Sequence, residues 1–277
     1  MHTLSIRQRD ILAVARTQGH VRVDDMAARF AVTPQTIRKD INELCSQKLL
    51  RRVHGGAMVA SGVENVGYEA RRSIASQEKR LIGQLAASKI PNGCSLFINI
   101  GTTTEAVARA LLQHEDLLVI TNNLNVANIL LENPNIDVIV AGGLLRRIDG
   151  GIIGEATIDL IDQFKMDYAV IGTSAIDEDG TLLDFDYREV RVAQAIIANS
   201  RQVFLVADKF KIDRSAPVRI GHISQIDTFF TDELASPQLA KVCADNGVTV
   251  AATADLGADT ANADRQGGDV VSFDAQR

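Results

Sequence analysis

The chain has 277 residues, 46% of them hydrophobic and 23% charged, enough to bury one sizeable core and more in keeping with two unequal ones. Its net charge of −6 is unevenly spread: ten Lys and Arg against five Asp and Glu up to Ala57 give that segment +5 and leave −11 to the rest, the pattern of a chain that meets a polyanion at one end. No apolar run reaches the length of a bilayer and residues 1–5 lack the regions of a signal peptide, so a membrane protein is excluded and a cytoplasmic location expected.

The first predicted element is a helix. Ser5 and Gln8 form a capping box, Ile6, Ile11, Leu12 and Ala15 supply an apolar stripe, and Gly19 stands where the helix should stop. After the β-leaning "HVRV", Asp24 can cap a short second helix, "DMAARF", that buries Met26, Ala27 and Phe30. Four residues, "AVTP", lead to a third helix, "TPQTIRKDINEL", with Thr33 as its cap and Pro34 in the first position, where a missing N–H costs nothing. Ile37, Ile41 and Leu44 share one face, so Gln35, Thr36, Arg38, Lys39 and Asn42 point outward. Gln and Asn can pair with adenine edges, Arg with guanine, Lys and Thr with phosphates, and the short turn before this helix fits a helix-turn-helix.

"KLLRRVHGGAMV" reads next as a hairpin turning at Gly55 and Gly56, with Arg51, Arg52 and His54 near its tip. Such a wing can lie along a DNA backbone. Taken singly, Arg38 and Lys39 fit a solvated helix face and His54 an exposed turn; three helices, a turn and a basic wing in this order favour a winged helix-turn-helix over residues 1–57. Residues 58–75, small and polar without a period, suit a linker.

Over residues 76–254 helical and strand patterns alternate. "SLFINI", "LLVIT", "DVIVA", "DYAVIG", "QVFLVA", "DTFFT" and "VTVAA" are short, apolar and mostly β-branched, the signature of strands covered on both faces and hence of a Rossmann-like, mainly parallel α/β domain. Ligands of such sheets bind outside the carboxyl ends of the strands. The residues there are Gly101, Thr102, Thr103 and Thr104; Asn122 and Asn123; Gly142 and Gly143; Thr173 and Ser174; and Asp208 followed by Lys211. In "GTTTEAVARALL" the glycine permits close approach and the threonines open a helix whose free N–H groups favour an anion, a phosphate above all, although the same residues serve as plain capping. Asp184, Asp186 and Glu189 in "LLDFDYREVR" can accept hydrogen bonds from polyol hydroxyls, act as general bases, or simply begin a helix.

Cys45, Cys94 and Cys243 are odd in number, far apart and outside any metal-ligand spacing, so buried, reduced packing residues are expected and neither a metal nor a cofactor is signalled. No Walker loop, HExxH or Ser/His/Asp order stands out, and "GGLLRRIDGGIIG" is not a dinucleotide fingerprint. Residues 255–277, rich in Ala, Asp and Gly, are expected to be a disordered tail.

"TPQTIRKDINEL" followed by "VHGGA" resembles the amino-terminal domain of the DeoR family of bacterial transcription regulators, and the likeness runs from about residue 5 to about residue 250. It implies a winged helix followed by a sugar-phosphate sensor domain that shares its fold with ribose-5-phosphate isomerases and CoA transferases. Carried over by position, it implies phosphate contacts from Gly101, Thr102, Thr103 and Thr104, a pocket lined by Asn122 and Asn123, and family positions at Glu189 and Lys211. Asn99 stands where the family usually has aspartate, and "ADKFKID" departs from the usual spacing, which makes Lys209 a rival to Lys211. "TNNLNVAN", "DGGIIGEAT" and "LLDFDYREVR" resemble one branch more than the family at large. The function implied is a repressor, not an enzyme, whose hold on double-stranded operator DNA is lowered by a phosphorylated effector. For that branch the effector is sn-glycerol 3-phosphate, with fructose 1-phosphate or another sugar phosphate as the alternative. A homodimer is the minimum expected and the resemblance points to a homotetramer; a sugar-phosphate isomerase using the three carboxylates and Lys211 is the alternative from the enzyme class.

Overall fold

In a computed structural model of the chain the described residues are 4–18, 20–47, 49–53, 55–59, 68–212 and 214–253. Gly19, His54, most of the expected linker and the whole expected tail lie outside them.

The head is built from α1 (Ile6–Gln18), β1 (His20–Arg22), α2 (Val23–Phe30), α3 (Pro34–Ser46), β2 (Leu50–Val53) and β3 (Gly56–Val59). Its capping box is reciprocal: the Ser5 N–H donates to Gln8 Oε1 at 3.0 Å and the Gln8 N–H to Ser5 Oγ at 3.1 Å. Ile11, Leu12, Val14 and Ala15 of α1 pack with Met26 and Ala27 of α2 and with Ile37, Ile41 and Leu44 of α3. Ile6, expected in this stripe, is 73% exposed. The first-turn residues facing α3 are instead Arg7, which pairs with Asp40 at 2.5 Å, and Gln8, which donates to Glu43 at 2.5 Å, and their neighbour Ile6 is rotated away. The three strands form an antiparallel sheet in the order β1-β3-β2, with Arg51 opposite Met58 and Arg52 opposite Ala57.

The body follows as α4 (Tyr68–Ser73), α5 (Ser76–Ala87), β4 (Ser95–Ile98), α6 (Thr102–Ala110), β5 (Leu117–Thr121), α7 (Leu124–Leu130), β6 (Ile136–Val140), β7 (Leu144–Leu145), β8 (Ile152–Ile153), α8 (Glu155–Ile161), β9 (Met166–Ile171), β10 (Ala175–Ile176), β11 (Thr181–Asp184), α9 (Tyr187–Ala198), β12 (Ser200–Val206), β13 (Val218–His222), β14 (Thr228–Thr231), α10 (Pro237–Asp245) and β15 (Thr249–Ala252). All seven strands read from the sequence pair in one parallel sheet, in the order β15-β14-β12-β9-β4-β5-β6. The order reverses between β4 and β9, which opens a crevice at their carboxyl ends. Two further pieces were not anticipated: an antiparallel sheet, β10-β11-β13, and the β7–β8 hairpin. Helix α4 also falls inside the stretch expected as linker.

Each face of the main sheet carries a core. Ile82, Val107 and Leu130 of α5, α6 and α7 cover Leu96, Ile98 and Val119 on one side; Val192, Ile196, Leu239 and Cys243 of α9 and α10 cover Phe97, Ala169, Leu205 and Phe229 on the other. Cys45 and Cys94, by contrast with Cys243, are only partly buried. No helix among the described residues is long and apolar enough to cross a membrane.

Helices α5 and α6 approach closely at Gly83, where a Cβ would stand 2.6 Å from the Ala106 carbonyl oxygen. Gly83→Ala should therefore push the two helices apart and lower the stability by about 1–3 kcal/mol, despite alanine's better helix propensity. Denaturant unfolding of the variant beside the parent chain measures it.

Candidate functional site

The nucleic-acid face is set by the two ends of α3. Thr33 caps it, its Oγ1 accepting from the Thr36 N–H at 3.3 Å and lying 3.0 Å from Thr36 Oγ1, while Pro34 begins the helix. With Ile37, Asp40, Ile41 and Leu44 buried, the exposed side carries Gln35, Arg38, Lys39 and Asn42. These four line a shallow polar groove of about 810 Å³ together with Ser5 and Arg7 of the α1 end. Arg52 is exposed on the wing. Arg51 is not available beside it, because adjacent strand residues face opposite ways. Its Nη1 donates to the Ile212 carbonyl at 3.1 Å and its Nη2 to the Phe210 carbonyl at 3.4 Å, both in the body. His54 lies outside the described residues.

In the body, a two-lobed crevice opens at the sheet's reversal point. Residues 101–104, Thr173, Ser174 and Lys211 line the inner lobe; Tyr68, Arg146, Asp149, Asp186 and Arg188 line the outer one, about 540 Å³ in volume; Arg71, Asp184 and Glu189 belong to both. Gly101 precedes α6 with φ 152° and ψ 151°, a conformation open to glycine, and makes no side-chain cap. The first N–H groups of α6 thus have no side-chain acceptor among the described residues, while Thr104 Oγ1 holds the turn by donating to Asn99 and Gly101 carbonyls at 2.7 and 2.8 Å.

Cations gather at this helix end. Burial, followed by the charge of Arg214, pushes the Lys211 ammonium down to about 7. Burial also lowers Arg214, only 7% exposed, whose Nε and Nη2 find no partner among the described residues. Lys79 is buried as well; it donates to the Arg71 and Ile74 carbonyls and lies 3.9 Å from Asp208. Burial lowers its pKa in turn, against the pull of Asp208. Beside these cations Asp184 and Glu189 line the same lobe, and Asp149 pairs with Arg71 at 3.3 Å.

The outer lobe is organised by Arg146, in the β7–β8 turn. It contacts Asp149 (2.6 Å), Glu189 (2.6 Å) and Asp186 (3.3 Å). Burial opposes its charge, but Glu189 and Asp149 outweigh that and raise its pKa. Glu189 itself is pushed up to about 7, first by burial and then by Asp184, against the pull of Arg146. Asp186 caps α9 and is brought down to about 2, chiefly by Arg188. Tyr68 of α4 closes one side, its hydroxyl donating to Glu105 at 2.9 Å and accepting from Asn125 at 3.0 Å.

Three expected site residues are placed elsewhere, and so is the rival lysine. Asn122 is 1% exposed and donates to the Ile152 carbonyl; Asn123 is 0% exposed and caps α7; neither lines the crevice. Gly143 is packed under Thr157 and Ile153. Lys209 points outward to Glu233 at 2.6 Å, which leaves Lys211 as the crevice lysine. Asn99, 2% exposed, shapes the turn by accepting from the Ile100 N–H. Sequence reasoning missed Tyr68, Arg71, Arg146, Asp149 and Arg214. For Tyr68 and Arg71 a signal existed, since "YEARRS" is a plausible helical turn in an otherwise featureless stretch.

Residues 7–63 match the DeoR-like helix-turn-helix domain and residues 74–233 the DeoR C terminal sensor domain. The chain belongs to the DeoR family. Among its relatives is the glycerol-3-phosphate regulon repressor of Escherichia coli strain K12, 48% identical over 242 residues, 87% of this chain and 96% of that one. The glycerol-3-phosphate regulon repressor of Haemophilus influenzae is 50% identical over 230 residues, 83% and 90% of the two chains. These relatives are repressors rather than enzymes. Among solved structures, a D-ribose-5-phosphate isomerase in complex with phospho-erythronic acid aligns with 50% of this chain and 54% of its own at 15% identity and a TM-score of 0.38.

Arg146→Met leaves Glu189 and its neighbouring carboxylates without their shared cation, and should cost about 3–5 kcal/mol at pH 8. Glu189, already raised in the parent, would rise further, so its ionisation in the folded variant is penalised above that value and not below the unfolded one. The deficit should shrink as pH falls through 7 toward 5. Unfolding curves of both proteins across this range test the sign.

Proposed function

We propose that the chain is a transcriptional repressor in which α3 enters the major groove of operator DNA and the crevice binds sn-glycerol 3-phosphate, whose binding lowers operator affinity. The observation that carries the reading is the convergence of the α6 N-terminus, which has no side-chain cap, with Arg71 and Lys211 in one crevice, near the buried Arg214, whose Nε and Nη2 find no partner among the described residues. There the N–H groups and cations take the phosphate, and Asp184 and Glu189, shared with the outer lobe, accept from the polyol hydroxyls. Relatives named for a glycerol-3-phosphate regulon favour this effector over fructose 1-phosphate. On the DNA side, Gln35, Arg38 and Asn42 read bases while Thr33, Thr36, Lys39 and Arg52 meet phosphates.

The division into a head of residues 1–57, a linker, a body to residue 254 and a tail is kept with one change: α4 belongs to the body, because Tyr68 and Arg71 line its crevice. One recognition helix spans few base pairs, so the repressor works as a homodimer or homotetramer on repeated half-sites, in the cytoplasm with the DNA.

A thermal-shift panel of phosphorylated polyols and sugars tests the effector: sn-glycerol 3-phosphate at a hundred times its dissociation constant should stabilise the chain by about 2.7 kcal/mol. Thr103→Glu puts a negative charge at the phosphate position and should abolish that shift while leaving operator binding intact. Stabilisation only by a different phosphoester would reassign the effector; a normal shift in the variant would move the phosphate. Arg38→Ala should weaken binding to DNA selected by the parent protein from a random pool by about 1–3 kcal/mol, with the effector shift unchanged. Equal gel-shift affinities for the two proteins would remove Arg38 from the interface.

A further inference from the structure

Residues 209–212 have two faces. Toward the crevice they present Lys211 in the inner wall, and the charge of Arg214 acts on it. Toward the head, the carbonyls of Phe210 and Ile212 accept the forked guanidinium of Arg51, from wing strand β2. Around that bridge lies an open junction of about 1150 Å³, with Arg22, Arg51 and Arg52 on one side and Ile74, Phe210, Ile212 and Pro237 on others. On this side the wing is fixed by hydrogen bonds to the body's main chain more than by packed apolar surface.

The inner lobe is narrow, about 20 Å³, and opens past Arg71, Asp184 and Glu189 into the outer one, so a phosphate seated at its mouth meets three walls. Thr104, in the first turn of α6, is held by two short hydrogen bonds. Thr173, just beyond central strand β9, donates to the Ala175 and Leu183 carbonyls. The third wall is a single 3-10 turn, Lys209–Lys211, capped by Asp208; the charge of Arg214 bears on Lys211, and Asp208 offsets it only in part. It is the wall with the least sheet or helix behind it and the most to gain from a phosphate.

We infer that this turn is the lever between the two sites: a phosphoester, seated in the inner lobe, draws Lys211 and Arg214 to itself, shifts the Phe210 and Ile212 carbonyls off Arg51, and releases the wing. The inference rests on the phosphoester reading above. The docked wing is the operator-binding form, because two heads fixed to their bodies hold their recognition helices at one half-site spacing, whereas a released head must be ordered again on the DNA. Arg51 is on this view a coupling residue and not a DNA contact.

Arg51→Lys keeps a positive charge for any DNA phosphate but lacks the planar fork that spans two carbonyls, and Arg51→Gln removes the charge as well. Operator affinity of each full-length protein is measured with and without sn-glycerol 3-phosphate, and phosphoester affinity by calorimetry, with thermal unfolding to show that the variants fold. In the parent the ratio of the two operator affinities should fall in the range of about 5 to 150 typical of coupled sites. In both variants it should drop toward 1, with weaker operator binding without the phosphoester and, by reciprocity, tighter phosphoester binding by the lost factor. Should Arg51→Gln fail to fold, Arg51→Lys carries the test alone. An unchanged ratio with unchanged phosphoester affinity overturns the lever, even if operator binding is weaker, since a plain DNA contact gives that result. A parent protein indifferent to sn-glycerol 3-phosphate and to every other phosphoester would sink the effector reading instead, and the lever with it.

Discussion

Arg71 and Lys211 line the crevice beside the open first turn of α6; Arg71 is paired with Asp149, whereas Lys211, the buried Arg214 and Lys79 all draw on Asp208. Burying cations without enough counter-charge is costly, and the downward shifts of Lys211, Lys79 and Arg214 express that cost. An anion bound there would offset that cost. The sheet supplies the place, since its reversal between β4 and β9 separates the loops that follow them, and α6 adds its dipole from the same point. The rest of the sensor half follows from this: the lid residue Tyr68, the shared wall of Arg71, Asp184 and Glu189, and the exclusion of Lys209, which has its own carboxylate partner outside.

The outer lobe has the opposite balance. Three carboxylates, Asp149, Asp186 and Glu189, converge on Arg146, and their lone pairs are largely taken up by that guanidinium and by Arg188. A general base needs a free lone pair aimed at the proton it removes; here the carboxylates are fixed as hydrogen-bond acceptors around a cation. That geometry argues against proton transfer, in keeping with a family of transcription regulators.

The strands were legible because burial on both faces demands continuous β-branched runs, and "SLFINI" or "QVFLVA" have no other stable use in a chain of this kind. Helix α3 was legible from its cap, its proline and the spacing of Ile37, Ile41 and Leu44. What failed to show were groups assembled across long sequence separations. Arg146 sits in a turn between strands of two residues, too short for any period, and meets Glu189 from 43 residues away. Arg71 lay in a stretch read as linker, since one turn and a half of helix carries little pattern. Asn122 and Asn123 were misplaced for a different reason: a polar pair at a strand end serves equally to cap the next helix and tie down a neighbouring strand, and only the depth of β8 decides between these uses. Arg51 could have been separated from Arg52 on alternation alone, because two consecutive residues of a strand cannot lie on one face.

The same alternation explains why the wing can serve two surfaces at once. Arg52 is exposed at the edge of the head–body junction, and Arg51 hydrogen-bonds to the main chain of the body. The head carries +5 and the remainder −11, so the body repels a DNA backbone at short range and contact with it is confined to the head. Under that constraint the position of the head relative to the body decides how well the duplex is gripped, and a bridge of hydrogen bonds to two carbonyls is well suited to setting it. It is directional enough to define one arrangement, yet each bond contributes only about 1 kcal/mol net, or up to about 3 where the guanidinium charge assists. On the proposed coupling, a few kilocalories from phosphoester binding on the other side of the same turn would be of the size needed to undo it.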